Sequence, residues 1–254
     1  MSVSLPLPTL ADGQGTSTGR FGLMQVALPA PSGWERGGFE VPLLGCTEPE
    51  IVDRCMTFGT DRSEMGRPSV ASYSPVQLEA DSTCSTLSEL EHDQFAQNAL
   101  AATTEFALGR ELLERPAGGD ALSLSDLETV NATPESSVVA AVSLAESEAV
   151  ARGLGRRFFL HAPVHLVAHL RARHLIDSNG RSPFGAQWVL SSGYVWEEPV
   201  IWVTGAVWAG AGAPVVQQAV THRRNDAFGL AWRSIIAGFD PCPGFQVSID
   251  PTAL

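Results

Sequence analysis

The segment His161–His174, "HAPVHLVAHLRARH", holds four of the six histidines in the chain. His161, His165 and His169 recur every four residues, a spacing that stacks side chains on one face of a helix and is one way of building a metal site. A catalytic zinc also needs a third protein ligand and usually a carboxylate base. This stretch carries no acid, and no H-E-x-x-H occurs anywhere. Placing the residues on elements weakens the metal reading further. Arg157–His161 reads as a short apolar strand that ends on His161, and Pro163 opens a helix on which only His165 and His169 sit securely. Val164, Leu166, Val167 and Leu170 form its apolar stripe. Arg171, Arg173 and His174 close it, where cations complement the helix dipole. Histidines on a packed helix are the favoured reading, and a metal-dependent enzyme using His165 and His169 is the alternative.

Other chemistries find less support. All sixteen basic residues are arginine and none is lysine, which removes Schiff-base chemistry and P-loop phosphate binding. No G-x-S-x-G is present. Cys84 and Cys242 lack a basic neighbour to stabilise a thiolate. The four cysteines, Cys46, Cys55, Cys84 and Cys242, form no C-x-x-C pair; isolated buried thiols are the expectation, with disulfides formed after release from the cell as the alternative. Asp240, in "GFDPCPGF", reads as part of a turn, and Glu197, Glu198 and Asp226 as surface charge. "GAVWAGAGAP" lacks the G-x-G-x-x-G register and reads as a hairpin tip. No enzyme, catalytic residue, cofactor or metal is therefore expected.

The 254 residues are 44% hydrophobic and 17% charged, with 28 acids against 16 arginines and a net charge of -12. Ample apolar material for a core follows, without an apolar run of about eighteen residues that would span a membrane. The acidic balance argues against wrapping nucleic acid, because such affinity comes from neutralising phosphates. The N-terminus lacks the basic and apolar regions of a secretory signal.

Residues 1–42 are rich in Gly, Pro, Ser and Thr and read as an extended arm. Residues 43–86 read as an extended loop or exposed hairpin, with Val70, Tyr73, Val76 and Leu78 alternating between prolines. At Ser88, followed by Glu91, a capping signal opens a helix over Ser88–Glu114, about 40 Å long. Leu87, Leu90, Phe95, Leu100, Phe106, Leu108, Leu112 and Leu113 supply its apolar positions, and Pro116, Gly118 and Gly119 stop it. Thr133 as N-cap and Pro134 in the first turn open a second helix, which runs to Gly153. After the histidine segment come strands separated by Gly, Pro and Asn-Asp breaks. The order is α+β without βαβ alternation. Trp188, Trp196, Trp202, Trp208 and Trp232 all fall in this last part, where they serve a core or a subunit interface.

This order resembles the major capsid proteins of tailed bacteriophages, the Hong Kong 97-type capsid fold shared with encapsulins. The resemblance rests on "FLHAP" with its following helix, on "IWVTGAVWAGAGAP", and on the closing region "VTHRRNDAFGLAWRSIIAGFDPCPGFQVSID". There Asn225, Arg233, Ile235, Ile236, Pro241, Phe245 and Val247 stand at places comparable to that family's. Upstream, the arm, the extended loop, the long "spine" helix and the Thr133–Arg152 helix follow the same order. The resemblance implies an arm at 1–42, an extended loop at 43–86, and the spine helix with part of a peripheral domain at 87–132. An axial domain at 133–212 follows, then strands at 213–254 that return to the peripheral domain.

It further implies self-assembly as hexamers and pentamers into an icosahedral virion shell, put together in the host cytoplasm. DNA would be enclosed without sequence-specific binding, and no membrane is involved. Scaffolding, portal or decoration proteins would be further partners. Subunit contacts are expected at Tyr73, Arg156, Arg157, Trp208, Arg223 and Arg224. Absence of lysine excludes the lysine–asparagine crosslink of some members. An encapsulin-type compartment shares the fold but usually opens on an amphipathic helix, which the first forty residues do not contain.

Overall fold

A computed structural model describes residues 21–42, 70–82, 89–115, 121–131, 133–154, 158–195, 199–221, 226–242 and 244–253. The expected long helix is present as α3 (Glu89–Glu114), 26 residues and about 39 Å long. It follows two single-turn helices, α1 (Leu23–Val26) and α2 (Trp34–Gly37). Its stop is Arg115, which takes the left-handed conformation at φ 49°.

Two sheets pack around this helix. The first has β10 (Asp226–Phe239) at its centre, paired with β4 (Val76–Ser82) on one side. On the other side β9 (Val215–Thr221) and then β8 (Val207–Ala211) follow one another along the same strand, and β1 (Leu28–Pro29) adds to β8 in parallel. The second sheet has the order β11 (Phe245–Ser248), β7 (Val200–Thr204), β5 (Phe159–Pro163), β6 (Gln187–Ser191). A two-stranded sheet joins β2 (Phe39–Pro42) to β3 (Val70–Tyr73).

The sequence of β7, "VIWVT", has no polar face because the second sheet is covered on both sides. Ile201 and Val203 face α4 (Val138–Ala151), whose Val138, Ala141, Val142, Ala145 and Ala149 are buried against them. Val200 and Trp202 face the other way, into a core shared with Leu108, Leu112 and Leu113 of α3 and with Ile235, Ala237 and Phe239 of β10. The first half of α3 uses Ala96 and Leu100 against Ala231. One helix thus serves both sheets. It reaches the second sheet through a backbone contact, for a Cβ on Gly193 would lie 2.1 Å from the Phe106 carbonyl oxygen, and one on Gly109 3.0 Å from the Gly193 Cα.

Several expectations are corrected. In residues 21–42, within the expected arm, Leu23, Phe21 and Trp34 are buried in the chain's own core, and the Glu105 carboxylate of α3 accepts the backbone N–H groups of Leu23 and Met24. β3 and β4 do not form a hairpin, because each finds a longer-range partner, β2 and β10. The helix expected from Thr133 begins at Val138 with Ser137 as its N-cap, its Oγ accepting from the Ala140 N–H at 3.1 Å. Glu135 is engaged instead in a bridge to Ile249, with its N–H donating to the Ser248 carbonyl. Gly153 does end the helix, at φ 84°. The segment opened by Pro163 is shorter than a full helix, a 3₁₀ turn at Val164–Leu166 leading into α5 (Val167–Ala172). β8 joins the first sheet and β11 the second. Ser88, Pro116, Gly118 and Gly119 lie outside the described residues, as do 1–20 and 43–69.

Gly193→Ala should lower stability by about 1–3 kcal/mol, since the added methyl meets helix backbone that cannot rotate away. Urea unfolding of the purified chain checks this through the midpoint.

Candidate functional site: the histidine segment and the subunit surface

The histidine spacing does not bring the four rings together. His161 sits on β5 directly opposite Trp202 of β7 and is fully buried between the sheets. Its Nδ1 lies 2.9 Å from the Tyr194 hydroxyl and its Nε2 2.8 Å from Thr204 Oγ1. Tyr194 in turn packs on Trp202 at 5.7 Å between centroids. Burial brings the His161 pKa down to about 3 and pushes the Tyr194 phenol well above its usual range. A neutral imidazole satisfied at both nitrogens, in a dry site, is a core polar cluster. His165 and His174 are exposed, and His169 is half-buried. Among the described residues no three His, Cys, Asp or Glu side chains gather to hold a metal ion.

The expected interface residues fall into three groups. Tyr73 is corrected: it is 1% exposed inside the chain. Its hydroxyl donates to the Phe239 carbonyl, Phe39 stacks on it at 5.3 Å, and the Arg115 guanidinium lies 4.7 Å from its ring centroid. Burial raises its pKa to about 12. β2, itself anchored through α2, brings Phe39 over the ring and completes the cover. Trp208 is half-buried, edge-on to Phe39 at 6.0 Å. Arg156, Arg157, Arg223 and Arg224 lie outside the described residues.

The other tryptophans divide similarly. Trp188 and Trp202 are fully buried, and Trp188 Nε1 donates to the Leu175 carbonyl at 2.9 Å. Trp232 is half-buried and Trp196 lies outside the described residues. Asp240 follows β10 in the expected turn, accepting the Cys242 N–H at 3.1 Å; burial raises its pKa. Cys242 is disulfide-bonded, which corrects the expectation of a free thiol; Cys46, Cys55 and Cys84 lie outside the described residues, as do Glu197 and Glu198.

One surface escaped the sequence reading. Phe95 and Phe106 of α3 are 53% and 40% exposed. Their spacing of eleven residues returns to the same side after about three turns, so both belong to the outer face and not to the core stripe of Leu100, Leu108 and Leu112. Beside Phe106 runs a groove of about 390 Å³ lined by Val76 and Leu78 of β4, Thr103, Ala107 and Arg110 of α3, and Ile235 of β10. No helix among the described residues is long and apolar enough to cross a membrane.

No family model matches the sequence, and no curated protein matches it. Solved structures do. The capsid of a native GTA particle matches with a TM-score of 0.56 at 12% identity, over 97% of this chain and 95% of that one. A chain of Mycobacterium phage Bobi matches at 0.56 and 14%, over 98% and 96%, and one of Mycobacterium phage Ogopogo at 0.51 and 11%, over 90% and 91%. The chain shares its α+β fold with these proteins nearly end to end.

The His161 cluster gives a signed pH dependence. The folded protein keeps His161 neutral down to about pH 3, whereas an unfolded histidine takes up its proton near 6.5. Between these values the unfolded chain holds the extra proton, so this site's contribution is complete above about 6.5 and is lost as pH falls towards 3. His161→Gln should flatten the decline of the urea midpoint between pH 7.5 and 5 relative to wild type.

Proposed function

We propose that this chain, built on the Hong Kong 97-type capsid fold, is a major capsid protein: a structural subunit, not an enzyme, that assembles as hexamers and pentamers into an icosahedral virion shell around a phage genome. The observation that carries the reading is the end-to-end likeness to the GTA particle capsid and to the Bobi chain, which leaves under a tenth of either protein unmatched. The physics of the surface supports it. A monomer that exposes Phe95, and Phe106 beside a groove, gains by covering them, and repeated symmetric contacts sum to a closed assembly.

In this reading Trp208, Arg156, Arg157, Arg223 and Arg224 contact neighbouring copies, the arginines pairing with carboxylates of an acidic partner. The net charge of -12 suits a wall that encloses DNA without binding its sequence. Assembly takes place in the host cytoplasm, with scaffolding, portal or decoration proteins as additional partners.

Negative-stain microscopy of the purified chain should show closed shells of uniform diameter; a monodisperse monomer across assembly conditions overturns the reading. Arg223→Glu should cut the yield of sedimenting particles at least tenfold while the monomer's melting temperature stays within a few degrees of wild type.

A further inference from the structure

The second sheet carries an acidic border along β11 and, packed on its core, the basic α5 segment, with Asp177 following that segment and Glu146 accepting the Phe184 N–H near the β6 edge. Along the β11 edge, residues 128–135 run as a cover. Gln246 N donates to the Glu128 carbonyl at 2.8 Å, Val130 N to the Gln246 carbonyl at 3.0 Å, and Glu135 N to the Ser248 carbonyl at 2.9 Å. This border carries Glu128, Glu135, Glu148 and Asp250, preceded by Asp126. Its one cation among the described residues is Arg152, 3.7 Å from Glu128 and 2.7 Å from Glu148. The Glu128 side chain is 72% exposed.

The β6 edge lies at the far side of the sheet. The segment after α5 is tied to it: Leu175 accepts from Trp188 Nε1, and Arg181 bridges to Gln187. Leu166 and Leu170 bury the inner face of the α5 segment in the core. Its outer face presents Arg171, Arg173, His165 and His174, all exposed. From Phe158 to Ile176 there is no acid, and among the described residues no carboxylate pairs with Arg171 or Arg173.

We propose that the α5 face of one subunit docks against the acidic β11 border of the next, with Arg171 and Arg173 set against Glu128 and Glu135 in a head-to-tail contact that closes a ring. The inference rests on the shell reading and names the partner of this surface as a second copy of the chain. Complementary charge on two separate surfaces of one subunit is what a heterologous contact requires, since each copy uses one surface to give and the other to receive. A symmetric pairing would set arginine against arginine. Each exposed ion pair contributes little alone, but two arginine forks per contact, repeated around a ring, fix its orientation and speed its formation. The α5 arginines, which pair with no carboxylate among the described residues, find their carboxylates there.

The test uses the full chain in three preparations. Arg171→Glu/Arg173→Glu carries acid on both edges, and Glu128→Arg/Glu135→Arg carries cations on both. Each alone should lose at least tenfold in particles by sedimentation and microscopy, with wild-type circular dichroism. Mixed one to one they should form even-numbered rings, because alternation restores every contact there and leaves a mismatched one in a five-membered ring. Wild-type shells together with undiminished shells from Arg171→Glu/Arg173→Glu overturn this contact and leave the shell reading standing. Loss of particles with no even-numbered rings on mixing overturns it as well. A wild type that forms no particles overturns the shell reading and this contact together.

Discussion

Everything in this fold is hung on the approach of α3 to the turn at Gly193, where two backbones touch with no side chain between them. That contact sets how deeply the helix sits between the sheets. Leu108, Leu112 and Leu113 then reach Val189, Trp202 and Phe239 across a single core. The same helix, one half-length earlier, packs on the first sheet through Ala96 and Leu100. Small residues at the crossing and large ones on either side leave little room for sliding, as close-packed interiors demand. The two sheets are rigid with respect to each other because one element is fastened to both.

Charge is arranged around this frame by kind and by place. Inside, polar groups are neutral or shared: His161 is held uncharged by burial, Tyr73 and Tyr194 keep their protons, and Glu105 spends its carboxylate on two backbone amides of the N-terminal segment. Burial also raises the Glu105 pKa, so that group carries its charge at some cost. Outside, cations are all guanidinium, the head group least penalised by partial desolvation and best shaped for a carboxylate.

What could be read from the residues was what local rules decide. The α3 helix, the stop at Gly153, the strand ending near His161 and the turn at Asp240 each follow from capping, propensity or turn chemistry. What could not be read depended on partners far along the chain. Glu135 pairs with Ile249, so the second helix is capped by Ser137 and not by Thr133. β4 finds β10 at a separation no hairpin signal announces. Phe95 and Phe106 share the helical period with the core leucines, and only the sheet positions decide which stripe turns inward. The histidine spacing suggested one face, whereas the chain breaks from strand to helix inside it and sends His161 into the core and His165 to the surface. Interface arginines have no local signature at all, since a solvated arginine and a docking one look alike in a string of letters.

One small pairing has a wider reach. β2 and β3 align Pro42 with Val70, so the stretch of chain between them starts and ends at adjacent points. Closing such an excursion costs free energy only with the logarithm of its length, about 0.6 kcal/mol per doubling. Lineages, or an engineer, can therefore lengthen, shorten or replace that stretch while the frame around α3 stays as it is.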